Sequence, residues 1–482
     1  MSHPFRKLNF KLVDAGVIVL TFAYLPGVLL TTVWSDEYPA LINPQGLSQD
    51  LMEALRPVWS ILALGTFTLL SSPHLLWLGR LLGFFGIIVL YLSIVRFAPR
   101  ITNTKSSKFF ISLALCLPSF QNWAHWANAW PQSWAAAISL WAFYIFKKHN
   151  LFLKIGAVLF LTIAITTYPP SSVFFFGTLT IWVYENGIGN RQFLNELKNA
   201  LKLLVSATAL AFILSLFLLE VLGLDKAPRA SLLSLGDVGE KISWVLTRPL
   251  VVGLQFYSIN SPTILFALLT SILVVSVILF ALFRQAYLLR EKKLVRILLY
   301  ITCLGMTISP LILTRDNQIE HRYISGYAFA VFCLFCLSLR SLQNKLTKQL
   351  SAAIKMPSAR GVFMALLALA VIINTNWRYY ESLYHPYQVK TSFLNSALKN
   401  CDSASLTKGI EIIPPKTEFT TLARLGTYSQ STDLASPWVP VPNILLLFPL
   451  SKRNELKIHY PGNLNLSQNC KIDLEILRKK LM

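Results

Sequence analysis

The segment Leu12–Val33, LVDAGVIVLTFAYLPGVLLTTV, holds a single charged residue, Asp14, and is followed directly by WSDEYPALINP. An apolar run of 18 or more residues is long enough to cross the hydrocarbon core of a membrane as a helix. The basic start, MSHPFRKLNFK, resembles a signal peptide, but the apolar core is long and no convincing small-residue cleavage site follows it. We therefore interpret this segment as a retained first span.

Comparable apolar runs recur along the chain and predict an all-α polytopic membrane protein of about eleven transmembrane helices. The predicted spans are 12–33, 76–95, 109–122, 132–147, 151–168, 171–184, 202–223, 262–283, 297–314, 322–340 and 361–376. The apolar segment Val58–Leu70 is short, so lying in the interface or re-entering the bilayer suits it better than crossing.

Composition agrees with this class. The chain has 482 residues, of which 54% are hydrophobic and 14% are charged, against about 25% charged in an average soluble domain. The net charge of +22 fits basic cytoplasmic loops and anionic lipid better than nucleic acid. With the N-terminus in the cytoplasm, most lysines and arginines before residue 376 fall in inner loops. Those loops contain no Gly-rich phosphate-binding loop, which argues against a transport ATPase.

The chain is predicted to form a transmembrane domain, 1–376, and a C-terminal domain, 377–482. Because the number of spans is odd and the N-terminus is cytoplasmic, the C-terminal domain is expected outside the cytoplasm. This tail is polar and rich in turn signals, and we expect a small α+β domain. Cys401 and Cys470 are its two cysteines. Outside the cytoplasm they are expected to form a disulfide, the alternative being two unpaired buried thiols.

Asp36 and Glu37 stand where the first span reaches the outer surface, flanked by Trp34 and Tyr38. Acids beside a span are costly and often functional, although two acids can also simply end a helix in water. A carboxylate here suits a general base that takes a proton from an acceptor hydroxyl. The donor would then lie at the membrane surface, which favours a lipid-linked substrate.

A phosphate leaving group would require arginine donors, which bind phosphate in bidentate fashion. The outer loops supply Arg56 in EALRPVW, Arg248 in LTRPL, and Arg322 in DNQIEHRYISGY, where His321 precedes it. We predict that these arginines bind the donor phosphate. Taken singly, an outer arginine more often contacts lipid headgroups or a surface acid.

Two outer stretches are candidates for sugar binding. The stretch FQNWAHWANAWPQSW, 120–134, is rich in tryptophan, which suits either an interfacial aromatic belt or the stacking of sugar rings. The turn TTYPPSS, 166–172, places a tyrosine on the same face, although the stretch also works as a turn alone. The predicted sugar or acceptor contacts are Trp34, Tyr38, Trp123, His125, Trp126, Asn128, Tyr168 and His321.

The order of these features resembles the type II glucosyltransferase family of bacterial O-antigen modification, within the C-type membrane glycosyltransferases. Shared features are the acidic pair after the first span, the Arg56–Pro57 dipeptide, an aromatic segment LPSFQNWAHWANAWPQSW, a tyrosine turn TYPPSS and a late arginine in HRYISGY. The chain departs from the family pattern at Glu37, where Asp is common, and at Pro169, where Gln is usual.

The resemblance implies transfer of a sugar, glucose in most of the family, from a polyprenyl phosphate to a surface polysaccharide such as O-antigen. The site would face the periplasm at the bacterial inner membrane. Asp36 is the expected base, and Glu37 would assist it, orient the loop or help to hold a divalent metal ion. No other cofactor is expected. The alternatives are a lipid-linked-sugar flippase or transporter, and a non-catalytic assembly protein.

Overall fold

The structure is a computed structural model. It describes residues 15–30, 32–33, 37–97, 105–186, 191–254, 256, 264–288, 293–315, 317, 321–350, 357–401, 410–413, 444–447, 458–459, 470–474 and 476. The described chain is mostly helical, which confirms the predicted helical class. Trp34 and Asp36 lie outside the described residues.

The first half of the chain forms twelve α-helices in the part that the structure describes. They are α1 Ala15–Leu29, α2 Glu37–Ile42, α3 Pro44–Glu53, α4 Pro57–Leu69, α5 Leu76–Phe97, α6 Lys105–Ala114, α7 Pro118–His125, α8 Trp130–Phe146, α9 Leu151–Thr167, α10 Pro169–Ser172, α11 Phe174–Asn186 and α12 Arg191–Leu222. Single 3₁₀ turns, Pro73–Leu75 and Ala127–Ala129, precede α5 and α8.

The second half continues the helical pattern and ends in short strands. The helices are α13 Val238–Thr247, α14 Pro249–Leu254, α15 Ile264–Leu288, α16 Lys293–Thr307, α17 Ser309–Leu313, α18 Ser325–Leu350, α19 Pro357–Tyr379 and α20 His385–Lys399. The 3₁₀ turns are Pro228–Ala230, Leu235–Asp237 and His321–Ile324, and the strands are β1 Ile410–Ile413, β2 Ile458–His459 and β3 Cys470–Asp473.

Within the described residues, three helices are long and apolar enough to cross a membrane: Pro73–Phe97, Leu194–Leu222 and Arg322–Leu339. Large apolar side chains on α12, such as Val205, Ile213, Phe217 and Val221, are more than half exposed. A continuous exposed apolar face of this kind marks contact with lipid or with another apolar surface.

Proline sets several helix boundaries. The span predicted at 109–122 is wrong as a single helix, because α6 ends at Ala114 and α7 begins at Pro118. Proline has no amide hydrogen and fits the first turn of a helix, so it begins a new one rather than continuing the old. The predicted turn in TTYPPSS is confirmed, because α9 ends at Thr167 and Pro169 begins α10.

The main hydrophobic core lies between α1, α5, α7, α8, α9, α11 and α18. Glycines allow the closest approaches. At Gly83 on α5, a Cβ atom would collide with the backbone carbonyl of Trp123 in α7. Helices of the predicted membrane region therefore pack with backbones nearly in contact, as small residues permit.

The C-terminal region joins the membrane region without a break in the helix. The chain remains helical across the boundary predicted at 376, passing from α19 through a π-helical turn, Tyr380–Tyr384, into α20. Pro386 at the start of α20 cannot donate to the preceding turn. Beyond α20, the described strands form a parallel sheet in the order β2-β1-β3.

The predicted disulfide is confirmed: Cys401 and Cys470 are bonded, with 5.5 Å between their Cα atoms. It ties the end of α20 to β3. Cys333 and Cys336 lie on α18 as buried free thiols, in agreement with a packing role for that pair.

Candidate functional site

Glu37 begins α2 and is completely buried. Its Oε1 accepts a hydrogen bond of 2.6 Å from the backbone N–H of Ala127, in the 3₁₀ turn before α8. A buried carboxylate is stable only with compensating partners, because burial removes its hydration. Glu37 therefore ties the first loop to the aromatic segment predicted to bind sugar.

Arg80 on α5 supplies the opposite charge. Its Nη2 lies 3.7 Å from Glu37 Oε2, and both side chains are fully buried. Its Nη1 donates to the carbonyl of Leu30 at 2.7 Å, and its Nη2 also donates to the carbonyl of Thr32. Arg80 thus fixes the end of the first apolar segment and the acidic loop together.

Arg80 is not among the residues that the sequence predicted to belong to the site. The signal was present, because Arg80 stands four residues into the apolar helix α5. An ionisable residue inside an apolar span calls for a partner. Glu37 is the partner that the structure supplies.

The C-terminal region covers this loop. Lys390 of α20 is buried, and its Nζ lies 4.3 Å from the centre of the Tyr38 ring, a cation–π contact. Burial lowers the pKa of Lys390 to about 7. Burial, with smaller contributions from Tyr387 and Glu37, raises the pKa of Tyr38 well above its usual value.

A hydrophobic cluster surrounds that contact and joins the two regions. Tyr38, Leu41 and Phe67 of the first loop and α4 belong to the same cluster as Leu394 of α20 and Ile412 of β1. The tail therefore contributes part of the wall around the acidic loop, which the sequence did not predict.

Arg56 and Arg322 meet the same group of aromatic rings from opposite ends. The guanidinium carbon of Arg56 lies 5.4 Å from the Trp59 ring and 5.3 Å from the Tyr168 ring. Tyr168 stacks on Tyr323, with 6.2 Å between ring centres. We call Arg56, Trp59, Trp126, Tyr168, Arg322 and Tyr323 the arginine–aromatic cluster.

Arg322 completes this cluster. Its guanidinium carbon lies 4.2 Å from the Trp126 ring and 5.3 Å from the Tyr323 ring. Contacts of this kind hold a guanidinium plane over an aromatic face while leaving its N–H groups at the edge. The aromatic side chains thus orient the two arginines, rather than offering bare faces to a sugar.

Local geometry explains how Arg56 reaches the cluster. Leu55 has a φ of 60°, in the left-handed region that non-glycine residues seldom adopt. Pro57 then begins α4, which carries Trp59 two residues later. Such strained backbone is concentrated at functional sites.

The segment Trp126–Asn128 links the acidic loop to the arginine–aromatic cluster. Ala127 donates its N–H to Glu37, and the Asn128 carbonyl accepts a hydrogen bond of 3.0 Å from Trp59 Nε1. Trp126, the first of the three residues, lies beneath Arg322. One short turn therefore places the carboxylate loop and both arginines in a single network.

Three unsatisfied polar atoms belong to residues close in sequence to the cluster. Among the described residues, Asn128 Oδ1, Ser171 Oγ and Ser325 Oγ are buried without a hydrogen-bond partner. Each lies within three residues of a cluster member in the sequence. Buried polar groups are normally hydrogen-bonded, so this concentration suits a polar ligand or bound water.

The remaining predicted residues lie elsewhere. Trp123 is fully buried against Phe120, with 4.8 Å between ring centres. His125 is buried between the rings of Tyr24 and Tyr379, at 5.5 and 4.5 Å. These contacts suit core packing better than a sugar-binding face.

Arg248 is exposed at the junction of α13 and α14. Within the described part of the chain, no ion pair or ring contact joins it to the cluster. His321 lies in the 3₁₀ turn before α18, and its side chain is outside the described residues. The described residues contain no group of three or more His, Cys, Asp or Glu side chains arranged to hold a metal ion.

Comparison with known proteins gave no match to a protein-family model and no match to a curated protein. The resemblance in motif order therefore stays a prediction, and the function has to be inferred from the geometry.

Proposed function

We propose that this protein is a membrane glycosyltransferase. It would move a sugar, glucose by the family resemblance, from a polyprenyl-phosphate donor to a surface polysaccharide such as O-antigen. The proposal includes about eleven spans in the bacterial inner membrane, with the 109–122 segment broken between α6 and α7, a cytoplasmic N-terminus and a periplasmic tail. The three long apolar helices support membrane association.

One observation carries the proposal: Arg56 and Arg322, distant in sequence, converge through Trp59, Tyr168 and Tyr323 beside the acidic loop. Two guanidinium groups held against aromatic rings suit a phosphate ester, because each can donate two parallel hydrogen bonds. Glu37 belongs to the same network through Ala127, and the proposed base, Asp36, precedes it directly in the sequence.

In the proposed reaction, the Asp36 carboxylate accepts the proton of an acceptor hydroxyl. The hydroxyl oxygen forms a bond to the anomeric carbon, and the bond from that carbon to the phosphate oxygen breaks. The polyprenyl phosphate leaves with one more negative charge, which Arg56 and Arg322 offset. Glu37, held by Arg80 and Ala127, orients the loop, which is the one of its three predicted roles that its burial favours.

The test is transfer by purified protein from a radiolabelled polyprenyl-phosphate glucose to a polysaccharide acceptor. We expect Arg56→Gln and Arg322→Gln each to lower kcat/KM by about 10²- to 10³-fold, the usual effect of removing one donor to a developing negative charge. Asp36→Asn should abolish transfer. Arg315→Gln is the matched control, because Arg315 is exposed and pairs with Asp237 at the surface.

Two results would contradict the proposal. Full activity of both arginine variants would remove the cluster from the mechanism. Movement of the labelled lipid across liposomes, with no transfer product, would instead identify a flippase.

A further inference from the structure

A cavity of about 80 Å³ lies between α5, α8, α11 and α12, and none of its lining residues belongs to the arginine–aromatic cluster. One water molecule requires roughly 10–15 Å³ by the same measure, so the cavity holds more than a single water. Its walls are mainly apolar, with Phe97, Leu140, Phe143 and Leu179 among them.

Two charged side chains stand at this cavity. Lys147 Nζ pairs with Glu196 Oε1 at 2.8 Å. Glu196 is about nine-tenths buried, and its Oε2 has no hydrogen-bond partner among the described residues. One oxygen of this carboxylate is therefore satisfied, and the other remains able to accept a hydrogen bond.

The cavity lies near the C-terminal ends of α5, α8 and α11 and the N-terminal end of α12. α5 ends at Phe97, Lys147 follows α8, and Trp182 lies one turn before the end of α11. Glu196 lies in the second turn of α12. Two of these helices are long and apolar enough to cross a membrane, so their ends lie at the height of the lipid headgroups.

We infer that this cavity binds a phospholipid with a primary-ammonium headgroup, such as phosphatidylethanolamine. An acyl chain would occupy the apolar part, and the ammonium group would donate a hydrogen bond to Glu196 Oε2. The lipid phosphate would lie near Lys147, which is about one-third exposed, and the neighbouring Lys148. The inference does not depend on the proposed glycosyl transfer.

Charge complementarity selects this lipid over others. Choline carries the same charge as ethanolamine but has no N–H to donate. An anionic glycerol headgroup would bring negative charge towards the buried Glu196 carboxylate. Ethanolamine provides both the cation and the donors that the unsatisfied oxygen requires.

Native mass spectrometry can measure the binding of phosphatidylethanolamine, phosphatidylcholine and phosphatidylglycerol that carry identical acyl chains. We expect the ethanolamine lipid to bind about tenfold more tightly than the choline lipid, the usual effect of one hydrogen bond to a charged group. Glu196→Gln should remove most of this preference. Glu220→Gln, an exposed acid at the other end of α12, should retain it.

A second measurement needs no variant. Mono-, di- and trimethylated ethanolamine lipids remove the N–H donors stepwise, and wild-type affinity should fall along the series. Equal affinity for all of them would overturn the inference. An ethanolamine preference that survives Glu196→Gln would place the headgroup elsewhere and would also overturn it.

Discussion

Lys390 is the residue whose surroundings were least expected. It is buried over the Tyr38 ring, and among the described residues no acid pairs with it. Its positive charge is therefore stabilised mainly by a ring face, which offsets only part of the loss of hydration. Glu37 differs, because Arg80 and a backbone N–H compensate its burial.

This difference predicts a dependence of stability on pH. The pKa of Lys390 is lowered to about 7, whereas an unfolded lysine has a pKa of about 10.4. Between these values the unfolded chain binds the extra proton, so this group makes stability rise with pH. Lys390→Met should therefore be more stable than wild type at pH 6, with an advantage that shrinks above pH 7 by up to ~1.4 kcal/mol per pH unit.

Thermal unfolding at pH 6 and pH 9 measures this effect. Lys399→Met is the matched control, because Lys399 is exposed on the same helix. It should leave the pH dependence of Tm unchanged. If the Lys390→Met protein kept the wild-type pH dependence of Tm, the pKa of Lys390 would not be lowered by burial.

Among the helices, the contact between α5 and α7 sets the position of the candidate site. α7 carries Trp123 and His125 and leads into the 126–128 segment that joins Glu37 to the arginine–aromatic cluster. Gly83 allows the α7 backbone to lie directly against α5. The position of the candidate site therefore depends on the absence of one side chain in a neighbouring helix.

Gly83→Ala should separate these helices. The added Cβ meets a backbone carbonyl, which cannot move aside as a flexible side chain can. We expect a loss of roughly 1–3 kcal/mol in the free energy of unfolding, as in other overpacked cores. Gly65→Ala on α4 is the control, because nothing lies within 4 Å of its Cβ position. Equal Tm values for the two variants would contradict the proposed close packing.

On the scale of the whole molecule, the tail packs against the first loop instead of standing apart from the membrane region. α20 continues from α19, and Leu394 and Ile412 join the hydrophobic cluster around Tyr38. The Cys401–Cys470 bond, between residues 69 positions apart, holds the end of α20 to β3. Stability of the tail and geometry of the acidic loop are thereby coupled.

Reduction of this disulfide should loosen the tail. Removing a native crosslink typically lowers the free energy of unfolding by roughly 2–4 kcal/mol. We expect a reducing agent to lower Tm and to speed proteolysis of the region after Lys399. The Cys401→Ser/Cys470→Ser protein should show the same weakening and no further response to the reductant. A wild-type protein that is indifferent to the reductant would contradict the coupling.

The helical, apolar character of the chain could be predicted because it depends on local properties, the length and hydropathy of each segment. The helix α1 within the Leu12–Val33 run and the proline-set turn after Thr167 were inferred in this way. The disulfide was inferred instead from the expected placement of Cys401 and Cys470 outside the cytoplasm. The 109–122 span failed because apolarity alone does not show where Pro118 begins a new helix. Trp59 was missed although it stands one turn after Arg56.

Only the tertiary structure decided which residues meet. It paired Glu37 with Arg80, brought Arg56 and Arg322 to one set of rings, and covered Tyr38 with Lys390. These contacts join segments tens to hundreds of residues apart. They depend on how helices pack and how burial is compensated, which no local pattern of residues encodes.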